Sequence, residues 1–321
     1  MTEKMIPLVV REARVSDCQM LELLMQESIK EQKITDVRGL TCQDLQSRGF
    51  GNDPAFHIFV SELSSGVVNG YLLYIYCFSS MAGRVVVVKD IYVTPEYRRR
   101  GMATALWKTL VQKVSAEGCK RCDIYTKAPN KFLLSIGAHD DTVSEYSGDL
   151  VYEIKKDAME ELIKRHNIPS EFILREATAK DIPDIFESVK SLHLYLGLLD
   201  EVVIDETVLM NEGFGKRPLF KSYVVERNGS VVGYTMFSYT YGFDGPEVYM
   251  EDLYVSSTCR GTGIGTALWA VVLKETLKIG GRRCTHIVAS DNKASIGYYK
   301  SKGAQDLSQT KNIHIFKQLM N

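Results

Sequence analysis

A chain of 321 residues with 39 lysines and arginines against 40 aspartates and glutamates has no global field to draw it onto nucleic acid or an anionic membrane. Its 45% hydrophobic content is that of an ordinary globular protein, and no run reaches the ~18 uninterrupted apolar residues of a membrane span. The start, MTEKMIPLVVREA, shows no signal-peptide pattern, and seven cysteines fit reduced thiols, so the expected location is the cytoplasm.

Taken in chain order, the sequence states one pattern twice. REARVSDCQMLELL (11–24) and REATAKDIPDIFES (175–188) each read as a short strand, a polar turn and a helix. RGFGNDPAFHIFVSE (48–62) and EGFGKRPLFKSYVVE (212–226) each end a helix at Gly-Phe-Gly and open an alternating strand. Aromatic and β-branched strands follow at 70–78 and 233–241. Next come KDIYVTPEYRRRGMATALW (89–107) and EDLYVSSTCRGTGIGTALW (251–269), each a strand, a glycine-bearing loop and an amphipathic helix. Further strands are expected at 121–128 and 284–290. The charged helical stretch 153–170 reads as the tail of the first copy plus a linker. The expectation is an α+β chain of two tandem domains, 1–168 and 169–321, each a central mixed sheet flanked by helices.

Arg260, Gly261, Gly263 and Gly265 stand where a loop must turn tightly against a helix N-terminus, a backbone-amide cradle suited to a pyrophosphate. Glu251 and Asp252 end the preceding strand, and strict alternation would let only one of them face a given cleft. Tyr298 and Tyr299 lie in SDNKASIGYYKSKGA (290–304), a short helix starting near Asn292 in which a tyrosine is more often an amphipathic packing residue than an acid. Cys119 and Cys122 form a lone Cys-x-x-Cys without a second pair, so no metal is expected.

With these strings, both copies resemble the GCN5-related N-acetyltransferase (GNAT) superfamily. The second copy, about 172–321, is similar along its length to the diamine (spermidine/spermine) and thialysine N-acetyltransferases through NEGFGKRP, EDLYVSSTCRGTGIG and SIGYYKSKGA. The resemblance implies acetyl-CoA as cosubstrate, Glu251 as the base and Tyr299 as the acid. It also implies a pyrophosphate on the amides of Arg260, Gly261, Thr262, Gly263, Ile264 and Gly265. Leu253 and Val255 would offer backbone groups to the pantetheine arm, with Asn292 and Ser295 along the cofactor's far side. An alkylamine is only about 0.1% neutral at pH 7, so exposing its lone pair costs roughly 4 kcal/mol. A positioned carboxylate removes that proton and a phenol protonates the departing thiolate.

In the first copy Lys89 stands where Glu251 stands, and NKFLLSIGA lacks about one helical turn together with the tyrosine pair. That copy has lost both proposed catalytic groups. Arg98, Gly101 and Ala103 keep the loop form, either as a second cofactor loop or as a helix cap. The family's habit of pairing implies that the two halves form an internal pseudo-dimer.

The acceptor side is less clearly marked. Leu196 falls where the polyamine enzymes have a glutamate and Ile313 where they have a tryptophan, so a polycation is disfavoured. Asp252, Asp200 and Glu201 remain as partners for one ammonium group. His193, Tyr195, Tyr241 and Phe243 would supply an aromatic wall or else pack the core. The expected reaction is acetyl transfer to a primary amine of a small molecule. A protein lysine or N-terminal acetyltransferase, and a CoA-binding pseudoenzyme or scaffold, are the alternatives. No nucleic-acid or membrane partner is expected.

Overall fold

The computed structural model describes residues 8–320 apart from 36, 128–129, 144–147 and 166. The first seven residues, which carry the start of the stretch read for targeting character, lie outside these. No helix among the described residues is long and apolar enough to cross a membrane.

The first copy runs β1 (Leu8–Glu12), α1 (Cys18–Glu31), α2 (Cys42–Gly49), β2 (His57–Leu63), β3 (Val68–Ser79), β4 (Gly83–Val93), α3 (Met102–Ala116), β5 (Arg121–Lys127), α4 (Lys131–Ser135) and β6 (His139–Asp140). β7 (Asp149–Lys155) and α5 (Lys156–Arg165) lead into the second copy. That copy runs β8 (Ile173–Glu176), α6 (Ile182–Tyr195), α7 (Glu206–Phe214), β9 (Lys221–Arg227), β10 (Ser230–Gly242), β11 (Gly245–Val255), α8 (Ile264–Lys278) and β12 (Arg283–Ala289). It closes with α9 (Lys293–Ser301), β13 (Gln305–Asp306), α10 (Leu307–Lys311) and β14 (Ile313–Leu319).

The strands form two sheets of seven, ordered β1-β2-β3-β4-β5-β14-β6 and β13-β7-β12-β11-β10-β9-β8. Both are mixed, with β4–β5 and β11–β12 parallel and their other pairings antiparallel. The sheets therefore do not divide at 168/169. β7, from the stretch expected to end the first domain, lies antiparallel to β12 from Arg283↔Lys155 to Ala289↔Asp149. β14 returns to the first sheet and pairs with β5 from Ile313↔Lys127 to Leu319↔Arg121. Helix α5 follows β7, burying Met159 and Leu162 beside Trp269 and Leu273 of α8. Periodicity could mark these segments as strand and helix but not say which sheet would take them, because that is a long-range choice.

The seam between the copies is filled by their β-hairpin tips. Phe78, at the end of β3, joins the apolar cluster of α6, α7 and β9, with its ring 4.5 Å from that of Phe220. Tyr241, at the end of β10, packs reciprocally in the first copy, 5.1 Å from Phe56.

Candidate active site

β11 does not alternate strictly. Met236 of β10 pairs with Asp252 but Phe237 pairs with Met250, so Glu251 is an extra, unpaired residue in the ladder. This β-bulge overturns the alternation argument, since it turns Glu251 and Asp252 to the same side. Met250 and Leu253 pack with the α8 cluster, while both carboxylates meet the β3–β4 turn of the first copy. The Ser80 main-chain N–H donates to Glu251 Oε1 at 2.8 Å, and the Ser80 hydroxyl donates to Asp252 Oδ1 at 3.1 Å. Tyr234 donates to Asp252 Oδ2 at 2.7 Å.

Burial and the like charge of Asp252 push the Glu251 carboxyl up to about 7, with Arg121 of β5 pulling the other way. Asp252 is raised as well, by burial, against the nearby His193, Tyr234 and Ser80. A carboxyl poised near neutrality is suited to take a proton from an ammonium group and give it up again.

Tyr299 lies on α9, whose first turn is capped by Asn292 accepting from the Ser295 N–H at 3.1 Å. Asn292 and Ser295 thus fix the helix that carries the tyrosine. The Tyr299 ring stands edge-on to Trp269 at 4.9 Å and 4.1 Å from His286. Burial first, then Tyr298, Cys284 and Asp252, raise its phenol, which stays protonated. No hydrogen bond among the described residues joins Tyr299 to Glu251 or Asp252. Tyr298 instead donates to Thr266 on α8 at 3.2 Å.

Between these elements runs the loop from Arg260 to Gly265. Gly261 and Gly263 hold φ of 79° and 92°, the left-handed region that favours glycine, and a Cβ on Gly263 would stand 3.0 Å from the Asn167 carbonyl. Gly263 caps α8, so the free N–H groups of Ile264 and its successors open onto the loop. Thr262 donates to the Cys259 carbonyl at 2.7 Å and braces the turn. Parallel pairing of β11 with β12 stops at Met250↔His286. From Leu253 to Val255 that edge of β11 is left open for main-chain hydrogen bonds to an extended ligand. The loop, the open edge and α9 could together hold a phosphorylated cosubstrate with an extended arm.

The first copy repeats the frame without the groups. Lys89 occupies the matching bulge, and its ammonium pairs with Glu247 Oε2 at 2.9 Å. Asp90 is sealed by Tyr71, by Ser28 at 2.8 Å and by Gln32 at 3.0 Å. Arg98 is neutralised by Glu31 at 2.7 Å, whereas no carboxylate among the described residues pairs with Arg260, which lies over the Tyr195 ring at 5.1 Å. Gly101 caps α3 and Ala103 borders an open cleft of about 570 Å³, so the loop retains its form while the arginine matching Arg260 is tied to Glu31.

The structure brings His193 to Asp252, 4% exposed, with Nδ1 2.9 Å from the Val189 carbonyl oxygen. It does not bring Tyr195 there. That ring is 54% exposed beneath Arg260 of the glycine-bearing loop, and Tyr241 belongs to the first copy's core. Phe243 lines a separate interdomain cavity of about 630 Å³. Ile313 lies in β14 of the first sheet, and Asp200 and Glu201 stay exposed. Ser80 and Arg121 were missed because nothing near 251 signals them; only the pseudo-dimer expectation pointed to the other copy. Among the described residues no group of three or more His, Cys, Asp or Glu could hold a metal, and Cys119 and Cys122 are buried free thiols.

The family model for the acetyltransferase (GNAT) family matches residues 19–134 and 192–304, most of the chain and both copies. The chain belongs to the acetyltransferase (GNAT) family. This GNAT chain is similar to the thialysine N-epsilon-acetyltransferase of Mus musculus, 33% identical over 168 residues, covering 49% of this chain and 97% of that protein. It is also similar to the spermidine/spermine N(1)-acetyltransferase-like protein 1 of Homo sapiens, 35% identical over 158 residues, 46% of this chain but 22% of that protein. A solved tandem GNAT protein from the clavulanic acid biosynthesis pathway shares the fold at a TM-score of 0.54 and 17% identity, covering 98% of this chain and 99% of its own. A GNAT structure from Sphaerobacter thermophilus does so at 0.53 and 14%, covering 98% and 97%. Family and relatives together assign the GNAT chain to the N-acetyltransferases.

Proposed function

We infer that the second copy, about 169–321, transfers acetyl from acetyl-CoA directly to the primary amine of a small, diamine- or thialysine-like molecule. The observation that carries this reading is the bulge at Glu251, which sets a carboxyl of near-neutral pKa beside Asp252. Glu251 takes the ammonium proton, and Asp252 with the neighbouring His193 orients the acceptor's charge. The N–H groups from Gly261 to Gly265, with Thr262, Ile264 and Arg260, hold the pyrophosphate. Leu253 and Val255 offer their open strand edge to the pantetheine arm. Tyr299, kept protonated by burial, supplies the proton the departing thiolate needs. A small acceptor is favoured over a protein lysine by the two ends of the 193–203 segment, His193 beside Asp252 and the Val203 N–H donating to the Met81 carbonyl at 2.9 Å next to Ser80.

The test is thiol release from acetyl-CoA with spermidine, putrescine, thialysine, lysine, an arylalkylamine and a histone-like peptide. Release with one small amine supports the reading; silence with all six removes it. Tyr299→Phe is expected to lower turnover about a hundredfold while leaving acetyl-CoA affinity within about twofold, as read by calorimetry. Equal turnover would remove Tyr299 from the reaction. Arg98→Ala is expected to leave turnover unchanged, because Glu31 already occupies that guanidinium.

A further inference from the structure

The carboxylate pair of the second copy is bound by residues it does not own. The turn joining β3 to β4 of the first copy reaches Glu251 and Asp252, and Ser80 at its tip is 1% exposed. Its main-chain N–H and hydroxyl donate to both, at 2.8 and 3.1 Å, although 171 and 172 residues separate the partners in sequence. The turn is clamped from several sides. Arg84 grips Glu212 of α7 through Nη2 at 2.9 Å and Nε at 3.3 Å. Met81 accepts from Val203, and the Phe78 ring packs at a tilt against Phe220. Gly83, at φ 78°, lies so close that a Cβ there would come within 3.3 Å of Val208.

We propose that Ser80 is a positioning residue of the transfer site, holding the Glu251–Asp252 pair in one geometry and favouring its ionised form, so that the site is completed only by the first copy. This rests on the reading of Glu251 as base, and it gives the first copy a role although its own equivalents are Lys89 and a shortened α4. A donor to a carboxylate stabilises the charged state, so removing it raises the proton affinity of the pair, which titrates as a unit. The other groups facing the pair are Arg121 and Tyr125 from β5, Cys77 from β3, Tyr249 from β11, His193 from α6 and Tyr234 from β10, and the Ser79 hydroxyl also bonds Glu251. Tyr299 faces Asp252 from α9. None of these shares a hydrogen bond with the Ser80 hydroxyl, so replacing Ser80 leaves their own contacts in place.

The experiment is a carbon-13 NMR titration of the carboxyl groups in the full chain, with Glu251→Gln and Asp252→Asn identifying the two resonances. In Ser80→Ala the first protonation of the pair is expected to move to higher pH by about half a unit to one unit, the effect of one lost hydrogen bond. Ser80→Thr, which keeps a hydroxyl, should restore the wild-type midpoint. Arg84→Gln, which loosens the turn without touching either carboxylate, should shift it in the same direction, and covers the case in which Ser80→Ala does not fold. An unchanged midpoint in the folded variants overturns the proposal, as does an equal shift in Ser80→Ala and Ser80→Thr. Wild-type thiol release with spermidine or thialysine is read separately. Its absence would sink the transferase reading while leaving the titration to decide the role of Ser80.

Discussion

Glu251→Gln is expected to lose at least a hundredfold in turnover and to gain stability above pH 7. The activity half follows from the need for an unprotonated carboxylate: wild-type turnover should rise as pH passes upward through about 7, and the variant should lack that limb. The stability half follows from linkage. The folded-state carboxyl binds its proton up to about pH 7, against an ordinary value of 4.5 in the unfolded chain. Between those values the folded state holds a proton the unfolded state has released, so stability falls as pH rises through that window. The whole penalty, up to about 3 kcal/mol for a shift of this size, is present above pH 7 and absent below pH 4.5. Urea denaturation at pH 5 and pH 8 checks it. The variant should match wild type more closely at pH 5 and exceed it at pH 8, and an identical difference at both pH values would remove Glu251 as the buried titrating group.

The second large effect concerns the tandem arrangement. A fragment of residues 169–321 is expected to have no cooperative unfolding transition as a monomer. It lacks β7 and α5, and with them Tyr152, Ile154, Met159 and Leu162, all buried beside Trp269, Val272 and Leu273. Truncating one such side chain costs about 2–5 kcal/mol, so losing four is comparable to or larger than the whole stability of a typical domain. Its β14 would also extend without β5 and β6. A fragment beginning at 149 and ending at 312 restores the missing strand and removes the stray one, and should show a cooperative transition. Circular dichroism and size-exclusion chromatography separate the two. A soluble, monomeric and fully active 169–321 fragment would count against both the exchanged sheets and the role of the first copy.

The sequence carried the fold class and the frame of the site plainly, because those rest on local signals. Glycines at 261 and 263 and a short helix capped at Asn292 are each specified within a few residues. What it could not carry is set at long range. The bulge at Glu251 comes from the register between β10 and β11, and a period-two reading assumes no bulge. Ser80 and Arg121 reach the site only because two copies pack face to face. Tyr195 failed as a pocket residue for a simpler reason: it ends α6 on the outer side, where Arg260 covers its ring.

The return of β14 to the first sheet also bears on synthesis. β5 waits for its neighbour until roughly 190 further residues have been made, which at ribosomal rates is roughly ten to forty seconds. Throughout that interval the nascent first half presents a bare strand edge carrying Cys122, Ile124 and Tyr125, a template for stray pairing. The first sheet therefore cannot close until β14 has emerged, and the open edge of β5 is the feature of this topology most exposed to mispairing in the interval.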